Sequence, residues 1–215
     1  MALSSAVDAS AVARVVGIKT TFKDLRGGGI LFLPQRIALI GQGNTAAVYS
    51  TDKFQITSAS QAGNRYGFGS PIHLAARQLL PVNGDGVGTI PVTVYPLEDD
   101  GSGVAASGDI TPTASQTEAG AYIVRVNNID SEQFVIEAGD SVADIVTAAT
   151  SAINAVLEMP VIATDATPGT STAIELEAKW AGESGNDLFV EVLTPDTGAA
   201  TFAVTQPAGG LVNPD

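Results

Sequence analysis

EQFVIEAGDSVADIVTAATSAINAVLEMPVIAT, residues 132–164, spells out a strand, a sharp stop, an amphipathic helix, a proline and a second strand. Val142, Ile145, Val146, Ala149, Ile153, Val156 and Leu157 recur three and four positions apart, which gathers them on one face of a helix over residues 142–158. Asp140 and Ser141 stand where side-chain oxygens cap the first free backbone N–H groups, and Pro160 bars further extension. Such a helix is about 25 Å long at ~1.5 Å per residue. It can cover a small sheet, and it holds no obvious catalyst.

Working outward on the C-terminal side, period-two alternation predicts strands at residues 107–113, 121–127 and 132–138 before the helix. Further strands are predicted near Val161 and at 173–178, 188–193 and 200–205 after it. Asn127 with Asn128, and Gly185 with Asn186, supply turns. This predicts an α+β domain, a mostly antiparallel sheet with one long helix packed across it. A composition change at Glu98, Asp99, Asp100 and Gly101 marks its start, so the acidic domain is read as 98–207, with linker-like PAGGLVNPD over its end and 208–215 leading to a further C-terminal part.

On the N-terminal side, RIALIGQG carries a continuous apolar strand, residues 37–40, of the kind found in buried parallel sheets. A weak helical segment near residues 58–65 is followed by SPIHLAARQLL, where Ser70 caps, Pro71 starts the helix, and Ile72, Ala75, Ala76, Leu79 and Leu80 share a face. TIPVTVYPL then returns as a strand. Strand, helix and strand predict a partial α/β (βαβ) core segment, 35–97. Before it, AVARVVGIKT is a β-branched strand cut off by Gly27, Gly28 and Gly29. It is either an arm that pairs with a sheet on another chain or an edge strand of its own domain, and 1–34 is read as extended arm and linker.

The 215 residues carry a net charge of −13 and no cysteine, which removes disulfides, thiolate metal sites and cysteine nucleophiles. A phosphate backbone would be repelled, so no nucleic-acid partner is expected. No basic-then-apolar leader and no run of about twenty apolar residues occurs, so membrane insertion is not expected either, and folding in the cytoplasm is. The charge is uneven. Residues 1–53 balance at +3, whereas from Glu98 onward nineteen acidic residues face only Arg125 and Lys179. Either the second half is simply a solvated surface, or acidic and basic faces meet between subunits.

Candidate chemistry is thin. Gly41, Gly43 and Ala46 make G-x-G-x-x-A after a strand, but the residues that follow are too short and β-branched for a phosphate-capping helix, and no acidic residue closes a second strand at the right distance. His73, one place off its helix's apolar face, reads as surface or boundary and has no second histidine or cysteine as partner. Ser184 misses a nucleophile elbow by one position. Asn83, Asp85 and Gly86, and again Asp99, Asp100 and Gly101, look like pieces of calcium loops. Val94 stands where a loop begun at Asn83 needs its glutamate, and both read as acidic turns. No catalytic residue, cofactor or metal site is expected, and the chain does not read as an enzyme.

The order of these pieces is familiar. QRIALIGQGNTAA, then ITSASQAGNRYGFGSPIHLAARQLL, then TIPVTVYPL, then AYIVRVNNIDSEQFVIEAGDSVADIVTAATSAINAVLEMPVIATDAT resembles the sheath subunits of phages with contractile tails, from about Val12 to Asp215. The resemblance implies a virion protein, assembled in the host cytoplasm, that polymerises helically around the tail tube protein. It would meet the baseplate and the tail terminator, and contract to drive the tube through the host envelope. It also implies that residues 11–20 add a strand to a neighbouring copy, with Val12, Val15, Val16 and Ile18 as the pairing residues, and that the acidic domain faces outward. Two other readings are a non-contractile module such as a tail tube subunit, and a nucleotide-binding enzyme using the Gly41-x-Gly43 loop.

Overall fold

The computed structural model describes residues 35–83, 86–113, 118–195 and 200–214. The described residues from Arg36 onward pack as one compact unit built around two apolar clusters. The fold is α+β.

The first cluster belongs to a three-stranded sheet. Strand β1 (Ile37–Gln42) lies parallel to β3 (Val92–Leu97), and β2 (Phe54–Ile56) pairs antiparallel on the other side of β3. Helices α1 (Ala59–Tyr66) and α2 (Pro71–Leu79) form the crossover between the parallel strands, as expected of a βαβ unit. Both begin on a serine cap: Ser58 accepts from the Gln61 N–H, and Ser70 from the His73 N–H, with Pro71 opening the first turn of α2 where its missing N–H is not needed. Ile56, Tyr66, Ile72, Ala76, Val92 and Val94 close this cluster.

Two expectations are corrected here. β1 is not buried on both sides: the helices cover only the face carrying Ile37 and Leu39, while Ala38 is exposed and Ile40 is 65% exposed. A run of apolar residues cannot say whether both faces of its sheet are covered. His73 is not at a boundary. It is 1% exposed, because Phe68 in the turn between α1 and α2 folds edge-on against it, centroids 5.0 Å apart.

The second cluster fills the space between two antiparallel four-stranded sheets. One runs β10 (Val190–Leu193), β5 (Gly120–Val126), β6 (Ile129–Asp130), with β7 (Phe134–Ile136) also on β5. The other runs β11 (Phe202–Ala208), β4 (Ala105–Pro112), β9 (Ile174–Ala181), β8 (Val161–Thr164). The period-two reading finds these strands except β6, but not their division into two sheets. Helix α3 (Val142–Ala155) lies among them, burying Ile145, Val146, Ala149, Ala152 and Ile153 against Tyr122, Ile136, Val161, Ile174 and Leu176.

Helix α3 starts as expected on Ser141, with a reciprocal capping box. The Asp144 N–H donates to Ser141 Oγ at 3.3 Å, and the Ser141 N–H donates to Asp144 Oδ2 at 3.0 Å. The Ser141 hydroxyl, donating to Asp144 Oδ2 at 2.6 Å, and then the Ser141 N–H hold the Asp144 carboxyl below the usual carboxylate range. Asp140 is not the cap; it accepts from the Glu137 N–H in the preceding turn. The helix ends three residues before the expected Glu158. Val156 turns extended, and a turn closed by Met159 N–H to Val156 O brings Met159 into the core and leaves Leu157 65% exposed. Pro160 limits the helix, but the reversal into β8 needs the residues before it.

Candidate functional site

The residues expected to form the inter-subunit arm, Val12, Val15, Val16 and Ile18, lie outside the described residues. What the structure does show is a joint between the two sheet systems and a set of strand edges that are either sealed or open.

The joint is built on the end of β1. Gln42 is buried, and its Nε2 donates to Asp99 Oδ1 and to Ala181 O, both at 2.8 Å. Thr45 donates its hydroxyl to Asp99 Oδ2 at 2.5 Å and its N–H to Lys179 O at 2.9 Å. The G-x-G loop is therefore occupied with holding the chain together. The Gly43 N–H, a phosphate ligand in a dinucleotide fold, donates instead to Tyr49 Oη at 3.1 Å, and that hydroxyl donates to Leu97 O at 3.0 Å. A Cβ on Gly43 would sit 2.2 Å from Tyr49 Cε1, and residues 44–48 form a turn where the phosphate-capping helix would be. Burial pushes the Tyr49 phenol above its usual value.

A second bond set lies beside it. Lys179, half-buried on β9, donates from Nζ to Leu157 O at 3.0 Å and to Phe68 O at 3.4 Å, so one ammonium ties the end of α3 to the turn between α1 and α2. Desolvation lowers its pKa. Arg77 pairs with Glu158 at 2.9 Å, both partly exposed. His73 accepts from the Gly69 N–H at Nδ1, 3.1 Å, in its neutral form, and burial lowers its pKa against a smaller opposing pull from Glu158.

The remaining candidates are also accounted for by structure. Ser184 accepts from Trp180 Nε1 at 2.9 Å. Asp100 Oδ1 accepts from the Ser102 N–H and hydroxyl in a tight acidic turn, which lowers its pKa. Asp85 lies outside the described residues. Among the described residues no group of three His, Cys, Asp or Glu is placed to hold a metal, and no helix is long and apolar enough to cross a membrane.

Side-chain amides replace missing backbone partners at two strand edges and just past the end of β11, which no sequence motif announces. Asn154 on α3 donates to Ala163 O at 2.7 Å and accepts from the Ala163 N–H at 3.0 Å, sealing the outer edge of β8. Gln206 does the same to both backbone groups of Val190, and Asn186 to those of Gly210. β1 is different. Among the described residues it has β3 on one side only, carries no charge, and shows a face on which Ile40 stands opposite Tyr95, also exposed. Unpaired backbone groups along an uncharged edge are a template for another strand.

No protein-family model matches the chain. A curated relative, the Mu-like prophage FluMu tail sheath protein of Haemophilus influenzae (strain Rd), is 24% identical to it over 177 residues. The match takes in 80% of this chain and 34% of the relative, so the chain spans about a third of the relative's length. The chain is thus similar to a phage tail sheath protein, in keeping with the resemblance carried by its ordered motifs.

Proposed function

We propose that this chain is part of a contractile phage tail sheath subunit, a structural protein of the virion that assembles in the host cytoplasm. The observation that carries the reading is the similarity to a tail sheath protein over most of the chain. In this reading residues 1–34 are the arm and linker, 35–97 the core segment, 98–207 an acidic domain facing outward, and 208–215 the link to a further part. Copies polymerise helically around the tail tube, between baseplate and terminator. Val12, Val15, Val16 and Ile18 of one copy add a strand to a sheet of the next, so main-chain hydrogen bonds keep copies joined while they slide and rotate. Contraction needs no cofactor, since energy stored in subunit contacts drives it.

The uncharged edge of β1, open among the described residues, supports a protein that works by strand addition, and the joint around Gln42 and Lys179 supports a subunit that moves as one piece. Electron microscopy of the longer protein that includes this chain is expected to show tubes or rings. Persistently monomeric protein would sink the reading. Deleting residues 1–20 is expected to abolish polymerisation with the fold intact, measured by sedimentation and circular dichroism; a tail tube subunit that needs no exchanging arm would still polymerise.

A further inference from the structure

The structure points to a second contact between copies, independent of the arm: we propose that a groove at Val48, Phe54 and Arg65 docks onto the acidic outer face of the β4–β9 sheet of another copy. It rests on the homopolymer reading, because both faces belong to one sequence.

The groove, of about 430 Å³, lies between α1 and the loop before β2. Arg65 lies across its floor with Cζ 4.1 Å from the Phe54 ring centroid, so the guanidinium is held in place by stacking before any partner arrives. Its Nε is buried and without a hydrogen-bond partner, and among the described residues no carboxylate forms an ion pair with it. Val48 is fully exposed at the rim, on a loop anchored by the bonds of Tyr49. A pre-placed arginine beside aromatic and aliphatic surface is the composition of an interface anchor, and its planar fork suits a carboxylate.

The same chain carries the complementary surface. On the outer face of the second sheet, Glu175 of β9 lies directly opposite Asp109 of β4, with Glu177 next along the strand. Like charges directly opposed across a ladder are unfavourable, and among the described residues no lysine or arginine forms an ion pair with any of the three. They border a shallow hollow of about 520 Å³ with Ser107, Thr164 and Thr205. A guanidinium from a second copy relieves that repulsion and gains carboxylate partners in one step. Because the two faces differ, the contact is head-to-tail and propagates.

The chain contains no cysteine, so single cysteines report the contact cleanly. Chains bearing Asn64→Cys, at the groove, are mixed with chains bearing Thr164→Cys, at the hollow, under mild oxidation at low ionic strength, where screening reaches only beyond ~30 Å. The expected result is a mixed disulfide dimer at least tenfold above that formed with Ser151→Cys, an exposed position on α3. Arg65→Glu in the first chain abolishes it, Glu175→Arg in the second also abolishes it, and combining the two changes restores it. The proposal is overturned if the mixed dimer does not exceed the Ser151→Cys control, or if it survives either charge reversal made alone. Glu175 is exposed, so its reversal tests the contact even if Arg65→Glu disturbs the fold. Tubes from the longer protein without this crosslink would sink the docking alone; the crosslink without tubes would sink the sheath reading alone.

Discussion

Gln42 and Asp99 meet at 2.8 Å across 57 positions of sequence, and the same Gln42 amide reaches Ala181 O at an equal distance. One buried side chain thus joins the end of the parallel strand β1 to the segment that leaves β3 and to the last residue of β9. Gln42→Ala leaves Ala181 O without that donor in a buried place. The expected loss is about 1–3 kcal/mol, read as a lower urea midpoint with an unchanged slope.

Gly43 and Tyr49 exclude any side chain between them. Gly43→Ala is expected to displace the tyrosine ring and cost about 1–3 kcal/mol. In a Tyr49→Ala background the same change should cost much less, since the obstructing ring is gone. A double-mutant cycle in urea measures the coupling, and additive effects would contradict the geometry.

His73 makes stability depend on pH. The folded protein holds it neutral, with its pKa lowered by burial, while the unfolded chain takes up a proton near the ordinary value of 6.5. The unfolded state therefore binds more protons as pH falls through 6.5, and stability declines from there until the folded value is reached. Glu158 opposes the shift, while Arg77 and Lys179 reinforce it. Asp100, Asp130 and Asp144, all held below the ordinary 3.8, add a separate loss that begins as pH nears that value and deepens below it. Urea midpoints at pH 7.5 and 5.5 should fall for the natural chain and stay level for His73→Gln, whose amide oxygen still accepts from Gly69.

Asn154→Ala is expected to strip both bonds from Ala163 and open the β8 edge, costing about 1–3 kcal/mol and raising aggregation on heating. Light scattering during thermal unfolding reads the second effect. Asn154→Ala protein that stays clear and unfolds at the original temperature would show the seal to be dispensable.

Ser141→Ala removes the acceptor for the Asp144 N–H and should cost about 0.5–2 kcal/mol. Loss of helical circular dichroism at a lower temperature checks it.

Much of the fold was legible because its signals are local. The apolar spacing from Ile145 to Ile153, the caps at Ser58, Ser70 and Ser141, Pro71 at a helix start and the alternation along β5 and β9 each act within a few residues, and each element formed near its expected place, with α3 stopping three residues early. β2 and β6, of three and two residues, are too short to carry a pattern. The joint was read only as its parts, a glycine turn and an acidic linker, because Gln42, Asp99, Lys179 and Ala181 acquire their roles from one another.

The sequence by itself determined which of the longer segments are helix and which are strand, the α+β class, the separation of charge along the chain and the likeness to tail sheath proteins. The tertiary structure alone decided that, among the described residues, one face of β1 stays open and its edge has no such seal as Asn154 gives β8, that His73 is buried and that Leu157 turns outward. Helix and strand preferences act over neighbouring residues, whereas coverage of a face or an edge depends on which distant segment arrives there. Only folding brings residue 42 to residue 181.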